Sequence, residues 1–326
     1  MGDPQPHLSV NHAVAIIGAG LMGSGIAQVF AAAGHDVAIY DRDPPARASV
    51  IARIDSVFAL LEQDRASGGD ITVHDELQDA VAHAELVIEA AAENLAIKRD
   101  VFAQLTRLAD DAALLATNTS AIPVHHIAEG LPSASRILGM HFWNPPYLIP
   151  LVEVIQSEAT DPRNVESAMA LLRSVDLEPV HVRADIPGFI GNRLQHALKR
   201  EAIALVASGV CTAEDVDTVT KCGFGPRLAL LGPLEQSDLV GLQLTLQIHE
   251  TLMPHLDRTA EPHPYLVEKV RKGHTGATTG QGFRRWTPED ADAAHHRVTT
   301  GLREAALRRR RHDRRGSTGD AAGISS

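Results

Sequence analysis

Cysteine is scarce in this chain: only Cys211 and Cys222 occur among its 326 residues. Neither has further cysteines at metal-ligand spacing, so the sequence predicts no disulfide framework and no thiolate metal centre, and it fits a reducing cytoplasm. Adjacent histidines occur at 125–126 and 295–296. Adjacent side chains point in different directions, and no cysteine or carboxylate nearby completes a ligand set, so we expect no metal.

Long apolar runs and an excess of basic charge are also absent. No run reaches the roughly 18 residues of a membrane helix, and the first ten residues lack the basic-then-apolar pattern of a signal peptide. The net charge of −11 disfavours nucleic acid as a partner. Basic residues concentrate in RRRRHDRR at 308–315, and this run predicts a disordered basic tail over 301–326. Binding of a polyanion by this tail is the alternative.

Short apolar strands alternate with helical patterns over the first 186 residues. The predicted strands are 14–17, 37–40, 71–73, 86–90, 114–117, 137–141, 151–155 and 180–182. Such alternation predicts an α/β fold with a doubly wound, mostly parallel sheet over residues 1–186. After Pro187 the apolar spacing becomes helical, so residues 187–300 are predicted to form a smaller all-α domain.

The stretch AIIGAGLMGSGIAQVF carries the pattern G-x-G-x-x-G directly after the first strand. Gly18 permits the tight turn, Gly20 allows a pyrophosphate to approach the backbone, and Gly23 allows close packing of helix and strand. Leu21 and Met22 begin the helix, whose first N–H groups attract phosphates. The order of these features is typical of a Rossmann-type dinucleotide-binding domain.

An acidic residue ends the second predicted strand. Asp41 lies 18 residues beyond Gly23, close to where a ribose-binding carboxylate is expected. A carboxylate there accepts hydrogen bonds from a ribose 2′-hydroxyl and repels a 2′-phosphate, which favours NAD over NADP. The neighbouring Arg42 could offset some of this repulsion.

A nicotinamide enzyme that oxidises an alcohol needs a proton acceptor, and histidine suits this role near neutral pH. His141 ends an apolar strand in ILGMHFWNPPYLIPLVEVI, and Glu153 stands among apolar residues after a Pro-Pro turn. A carboxylate in such a strand is costly to bury unless it is paired. The turn can bring Glu153 beside His141, where it would fix the imidazole tautomer. An unrelated core histidine and a surface glutamate are the alternative.

Four stretches, GAGLMGSGIAQVFAAAGH, TNTS, HFWNPPYLIPLVEV and GFIGNRL, together resemble the 3-hydroxyacyl-CoA dehydrogenase family in their order and spacing. The resemblance covers roughly residues 12–290. It implies NAD as cofactor, an L-3-hydroxyacyl-CoA substrate oxidised reversibly to a 3-ketoacyl-CoA, and a homodimer formed through the helical domain. It also implies that His141 acts as general base and that Glu153 orients it.

Further site residues follow from this resemblance. Ser120 in TNTS corresponds to the serine that hydrogen-bonds the substrate oxygen, and Asn192 in GFIGNRL to the asparagine that holds the reacting oxygen. Glu93 and Lys98, in ENLAIK, correspond to positions that contact the cofactor. Without the resemblance, Ser120 would be interpreted as a loop serine and Asn192 as a residue at a helix start. Glu93 and Lys98 would be interpreted as an exposed pair on a helix.

The chain departs from the acyl-CoA pattern between Asp43 and the strand at 71–73. Acyl-CoA members of the family usually carry a longer helical hairpin there, which contributes to holding CoA. Trp143 and Pro150 give HFWNPPYLIPLVEV features of the L-gulonate and carnitine dehydrogenase-like branch, whereas GFGPRL and TGQGF are typical of the acyl-CoA branch.

Three alternatives to an acyl-CoA dehydrogenase therefore stay open. The first is a free 3-hydroxy acid, whose carboxylate would need a basic partner such as Arg193 or Arg227. The second is a 3-hydroxyacyl group on a carrier protein. The third is a non-catalytic protein of the crystallin type, against which the presence of all four predicted catalytic residues argues.

Overall fold

The structure is a computed structural model that describes the backbone of residues 12–319 and the side chains of residues 12–309. By its internal contacts the chain divides into two units. The first unit comprises Met1–Asn192 together with Thr300–Ser326, and the second comprises Arg193–Thr299. The sequence-based boundary lies near residues 186–188. None of the described helices is both long enough and apolar enough to cross a membrane.

The first unit is built on an eight-stranded sheet with strand order β3-β2-β1-β4-β5-β6-β7-β8. Neighbouring strands are parallel except for the antiparallel pair β6–β7, which confirms the predicted mostly parallel, Rossmann-type sheet. The strands are β1 (Ala13–Ile17), β2 (Asp36–Tyr40), β3 (Ile71–His74), β4 (Leu86–Glu89), β5 (Leu114–Thr117), β6 (Ile137–Phe142), β7 (Leu151–Ile155) and β8 (Glu178–Val182).

Helices join the strands and make up the regular structure that follows. They are α1 (Leu21–Ala32), α2 (Pro44–Leu60), α3 (Leu77–Val81), α4 (Leu95–Leu108), α5 (Val124–Ala128), α6 (Pro162–Ser174), α7 (Gly191–Ala207), α8 (Ala213–Val219), α9 (Gly225–Leu228), α10 (Pro233–Val240), α11 (Leu242–Leu252), α12 (Pro264–Arg271) and α13 (Pro288–Gly319). The second unit, described by itself, is helical as predicted.

The two faces of the sheet bury different residues of the same strands. Along β1, Val14 and Ile16 belong to one apolar cluster, while Ala15 and Ile17 belong to the other. Successive side chains of a strand point to opposite faces, so an apolar run with no polar alternation is what a sheet covered on both faces requires. This explains why the strands could be located from their apolar runs.

The end of the chain differs from the predicted tail. Instead of disorder from residue 301, helix α13 continues to Gly319. Its residues 300–309 are rich in strong helix formers, and Leu302 and Ala306 lie four positions apart on one helix face. Ala306 is buried in a small apolar cluster with Leu61 and Leu148. Residues 320–326 of the predicted tail lie outside the described residues.

Candidate active site

The glycine pattern forms a tight turn between β1 and α1. Gly18 has φ +116°, a conformation that favours glycine. A Cβ atom on Gly23 would lie 1.8 Å from the Gly18 carbonyl oxygen, so α1 can pack against the turn only without a side chain there. A Cβ atom on Gly20 would meet nothing within 4 Å. The space beside Gly20 is therefore open to a ligand.

The first turn of α1 is suited to an anion. Gly20 caps the helix without a side-chain hydrogen bond, and no acidic residue lies in the first turn. The N–H groups of Leu21, Met22 and Gly23 have no partner within the helix, because the first turn of any α-helix leaves them unpaired. Leu21 is largely exposed. Together with the helix dipole, these N–H groups provide a site for a pyrophosphate.

Asp41 lies at the carboxyl end of the second strand, next to this turn. Its Oδ2 accepts the Ala19 N–H at 2.7 Å and its Oδ1 accepts the Asp43 N–H at 2.9 Å. A cavity of about 530 Å³ adjoins it and is lined by Tyr40, Leu77, Ile97 and Gln104 among others. A carboxylate beside an apolar slot suits the ribose and adenine of a dinucleotide. The residues of this region therefore fit NAD.

His141 and Glu153 lie directly opposite each other on the antiparallel strands β6 and β7. His141 Nδ1 and Glu153 Oε2 are 2.8 Å apart, and both side chains are almost fully buried. An ionised carboxylate only accepts hydrogen bonds, so Nδ1 carries the proton and donates it to Glu153. Nε2 of His141 is consequently the basic nitrogen.

Glu153 is held ionised by its surroundings. Burial alone would raise the pKa of Glu153, but the hydrogen bond from His141 and those from the backbone N–H groups of Gly191 and Ile190 outweigh it and lower the pKa. The two backbone N–H groups donate to Oε1 at 2.9 and 2.8 Å. The carboxylate thus has partners for both oxygens, which is what makes a buried charge tolerable.

The start of α7 connects the histidine–glutamate pair to the other predicted catalytic residues. Gly191 donates to Glu153, and the next residue, Asn192, donates its side-chain N–H to the Ser120 carbonyl at 2.9 Å. Ser120 itself is exposed at the surface of the first unit. The structure therefore links the His141–Glu153 pair to Asn192 through the Gly191 backbone, and Asn192 to the backbone of Ser120 through a hydrogen bond.

Glu93 holds the loop that contains Ser120 through hydrogen bonds. Its Oε1 accepts the Thr119 hydroxyl at 2.7 Å and the Ser120 N–H at 2.9 Å. Burial alone would raise the pKa of Glu93, but the Thr119 hydrogen bond and the charge of Lys98 lower it. Glu93 is thereby fixed as an anion beside the predicted substrate serine.

Lys98 is fully buried, in contrast to the exposed helix pair that the sequence allowed. Its Nζ donates to both oxygens of Glu89, at 2.8 and 2.9 Å, and lies 3.5 Å from Glu93. Glu89 was not singled out from the sequence. The signal was available, because a glutamate in the apolar strand LVIE resembles Glu153 in LVEVI, and both carboxylates have buried partners.

Two further site residues come from tertiary structure. Asn118 accepts the Phe142 N–H through Oδ1 at 2.9 Å, which joins the β5 loop to the residue after His141. The Trp143 indole N–H lies 3.4 Å from Glu153 Oε2, and its ring packs so closely on Gly191 that a Cβ there would lie 2.3 Å from it. Their roles depend on partners distant in sequence, so spacing alone could not reveal them.

A Rossmann-type sheet with a glycine turn that fits a pyrophosphate is typical of the NAD-binding domain of a dehydrogenase. The family models for the NAD-binding and C-terminal domains of 3-hydroxyacyl-CoA dehydrogenase match residues 13–186 and 188–286. The chain belongs to this family. It is an NAD-dependent oxidoreductase that acts on CH–OH groups.

Individual relatives differ in the substrates that their names give. The 5-formyl-3-hydroxy-2-methylpyridine 4-carboxylate 5-dehydrogenase of Mesorhizobium japonicum is 38% identical over 86% of this chain and 92% of its own. The 3-hydroxybutyryl-CoA dehydrogenase of Clostridioides difficile is 34% identical over 83% of this chain and 98% of its own. A crystal structure of a 5-formyl-3-hydroxy-2-methylpyridine 4-carboxylic acid 5-dehydrogenase, described as an NAD⁺-dependent dismutase, covers 90% of this chain and 97% of its own, with 35% identity and a TM-score of 0.85.

Proposed function

We propose that this protein reversibly oxidises the 3-hydroxyl group of a 3-hydroxyacyl compound to a ketone, with His141 as the base. The observation that carries the proposal is the buried His141–Glu153 pair, whose geometry leaves Nε2 as the proton acceptor. NAD supplies the hydride acceptor when it is bound at Gly18, Gly20, Gly23 and Asp41.

His141 Nε2 takes the hydroxyl proton in oxidation and returns it in reduction. The imidazolium that forms is stabilised by the adjacent carboxylate of Glu153, which remains ionised because its pKa is lowered. Ser120 and Asn192 hold the reacting oxygen through neutral hydrogen-bonding groups, which stabilise developing charge without removing the proton. Glu93 and Lys98 keep the Ser120 loop in place beside the cofactor.

The first candidate for the rest of the substrate is a CoA thioester. It is supported by the match to both family domains and by the name of the Clostridioides difficile relative. The physiological reaction would then interconvert an L-3-hydroxyacyl-CoA and a 3-ketoacyl-CoA.

The second candidate is a free hydroxy acid, and one structural observation favours it. Between β2 and β3 the chain forms the single α-helix Pro44–Leu60 followed by one short 3₁₀ turn, in place of the longer helical hairpin of acyl-CoA members. The name of the Mesorhizobium japonicum relative also describes a substrate with a free carboxylate. The same proton and hydride transfers serve either substrate.

A parallel assay of NADH formation tests the proposal. The substrates are 3-hydroxybutyryl-CoA, a longer-chain thioester, L-gulonate, L-carnitine and a hydroxymethylpyridine carboxylate, and the control protein is His141→Ala. Turnover of thioesters at higher kcat/KM assigns the CoA substrate. Turnover confined to the free acids removes it, and equal activity of His141→Ala with any substrate contradicts the role of His141.

We also propose that the protein is a homodimer formed through the second unit. Large apolar side chains of α10 and α11, including Leu234, Leu239 and Leu242, are well over half exposed. Apolar exposure on this scale is typical of a surface that a second copy covers. Light scattering coupled to gel filtration is expected to give twice the 34.9 kDa chain mass. A Leu234→Glu/Leu239→Glu variant that elutes like the unmodified protein would contradict this interface.

A further inference from the structure

Arg53 on α2 reaches the glycine turn between β1 and α1. Its guanidinium donates to the carbonyl oxygen of Ala19, the residue between Gly18 and Gly20. The same group is steadied by the Ala46 carbonyl at 3.2 Å and the Ser49 hydroxyl at 2.9 Å. Ala19 is thus held on both sides, because Asp41 accepts its N–H.

The charge of Arg53 has no counterion in the described part of the chain. Among the described residues no carboxylate lies within 4.0 Å of its guanidinium, and its Nε is buried without a hydrogen-bond partner. The carboxylate of Asp41, which is bonded to the turn, accepts the N–H groups of Ala19 and Asp43 instead. A half-buried cation of this kind stabilises an anion bound nearby.

We propose that Arg53 is a cofactor-positioning residue: it fixes the Ala19 carbonyl so that the Gly20 side of the turn stays open, and its charge favours the pyrophosphate of NAD. This inference rests on the proposed cofactor site and not on the proposed substrate. Arg53 lies on α2, outside the glycine pattern, and is not one of the site residues predicted from the sequence.

Binding assays without substrate test the proposal, so their outcome is independent of which alcohol is oxidised. NADH, ADP-ribose and adenosine are titrated by calorimetry or by displacement of NADH fluorescence, using the full chain, Arg53→Met and Arg53→Lys. Loss of a charge-assisted hydrogen bond is expected to weaken NADH and ADP-ribose binding by about 10- to 100-fold in Arg53→Met. The affinity for adenosine, which lacks phosphates, should change by less than about twofold. Arg53→Lys should recover part of the NADH affinity, because it restores the charge but not the set of guanidinium hydrogen bonds.

Arg173→Met, an exposed arginine near the end of α6, is the control for loss of one positive charge. In steady state we expect KM for NAD to rise in Arg53→Met while kcat at saturating NAD stays within about threefold. If Arg53→Met does not fold, Arg53→Gln replaces it, since an amide N–H can still donate to Ala19. A folded variant that binds NADH and ADP-ribose as the unmodified chain does would overturn the proposal. So would an equal loss for adenosine, which would place the effect in the adenine cavity.

Discussion

At the scale of single residues, the site depends on charges that are buried together with their partners. Glu153 and Glu89 are both buried in strands of the sheet. Glu153 accepts hydrogen bonds from His141 and from backbone N–H groups, and Glu89 accepts them from Lys98 and from a backbone N–H. Burying a carboxylate without such partners would cost several kcal/mol. Changing one partner should therefore affect chemistry or stability far more than changing an exposed residue.

The histidine–glutamate pair gives the most direct prediction. His141→Ala should lower kcat by roughly two to four orders of magnitude, the usual contribution of a general base. Glu153→Gln should lower it to a similar degree, because a neutral amide neither fixes the tautomer nor stabilises the imidazolium. Affinity for NADH, measured by fluorescence, should change little in either variant. Near-normal turnover in His141→Ala would remove this residue from the reaction.

A second histidine couples stability to pH far from the site. His35 is buried, and its Nδ1 accepts the His12 N–H at 2.9 Å. Burial and the neighbouring His12 lower the pKa of His35 from its ordinary 6.5. The unfolded chain then binds the proton more readily than the folded chain. The contribution of His35 to stability is therefore complete above pH 6.5 and is lost as the pH falls through the folded-state pKa.

His35→Asn should reduce this dependence on pH, because the asparagine Oδ1 can accept the same hydrogen bond but does not titrate. Urea unfolding between pH 5 and pH 8 measures how the free energy of unfolding depends on pH. We expect a flatter profile than that of the unmodified protein, with stability at pH 8 changed by about 1 kcal/mol or less. His83→Asn, at an exposed position, is the control. Parallel profiles for His35→Asn and the unmodified chain would contradict the prediction.

At the scale of elements, the strands were predictable and several connections were not. Runs such as AVAII and LLAT are apolar on both faces, which a buried parallel strand requires and few other elements tolerate. The turn between the two strands allowed Glu153 to be placed beside His141 as one of two alternatives, and the structure has the two residues opposite each other. The contacts made by Asn118, Trp143 and Arg53 could not be predicted, because they join residues that are distant in sequence. Arg53, for example, contacts Ala19, which lies 34 positions earlier. Such contacts arise only when whole elements pack.

The turn into α1 allows two glycines to be compared. Gly23→Ala should destabilise the protein by about 2 kcal/mol or more, because its Cβ would lie 1.8 Å from the Gly18 carbonyl oxygen. Gly20→Ala should leave the free energy of unfolding nearly unchanged, because φ is −73° and no atom lies within 4 Å of the added Cβ. It should nonetheless weaken NADH binding at least tenfold by occupying the space of the pyrophosphate. Urea unfolding and NADH titration separate the two effects, and normal NADH affinity in Gly20→Ala would argue against the pyrophosphate position.

At the scale of the whole molecule, the C-terminal segment is part of the same structural unit as the N-terminal part of the chain. The described residues from Thr300 onward belong to the first unit, although more than a hundred residues of the second unit precede them. Arg303 donates to the Leu60 carbonyl at 2.8 Å and pairs with Glu62, both near the end of α2. Composition predicted a disordered tail here because its basic run dominates the pattern. Leu302 and Ala306, the apolar positions that pack residues 300–309 against the rest of the first unit, are too few to stand out in a sequence.

Two neighbouring alanines of α13 test this attachment. Ala306 is 1% exposed against Leu61 and Leu148, whereas Ala305 is exposed. Ala306→Asp should lower the free energy of unfolding by about 2–4 kcal/mol, because it buries an unpaired charge in an apolar cluster. Ala305→Asp has the same helix propensity and the same charge, so it should cost only about 0.5–1 kcal/mol. The comparison is made by urea unfolding followed by circular dichroism. Equal midpoints for the two variants would mean that the part of α13 from residue 300 on does not pack against Leu61 and Leu148 in solution. A large loss confined to Ala306→Asp would mean that a truncation after residue 300, at the start of the predicted tail, removes part of the core of the first unit.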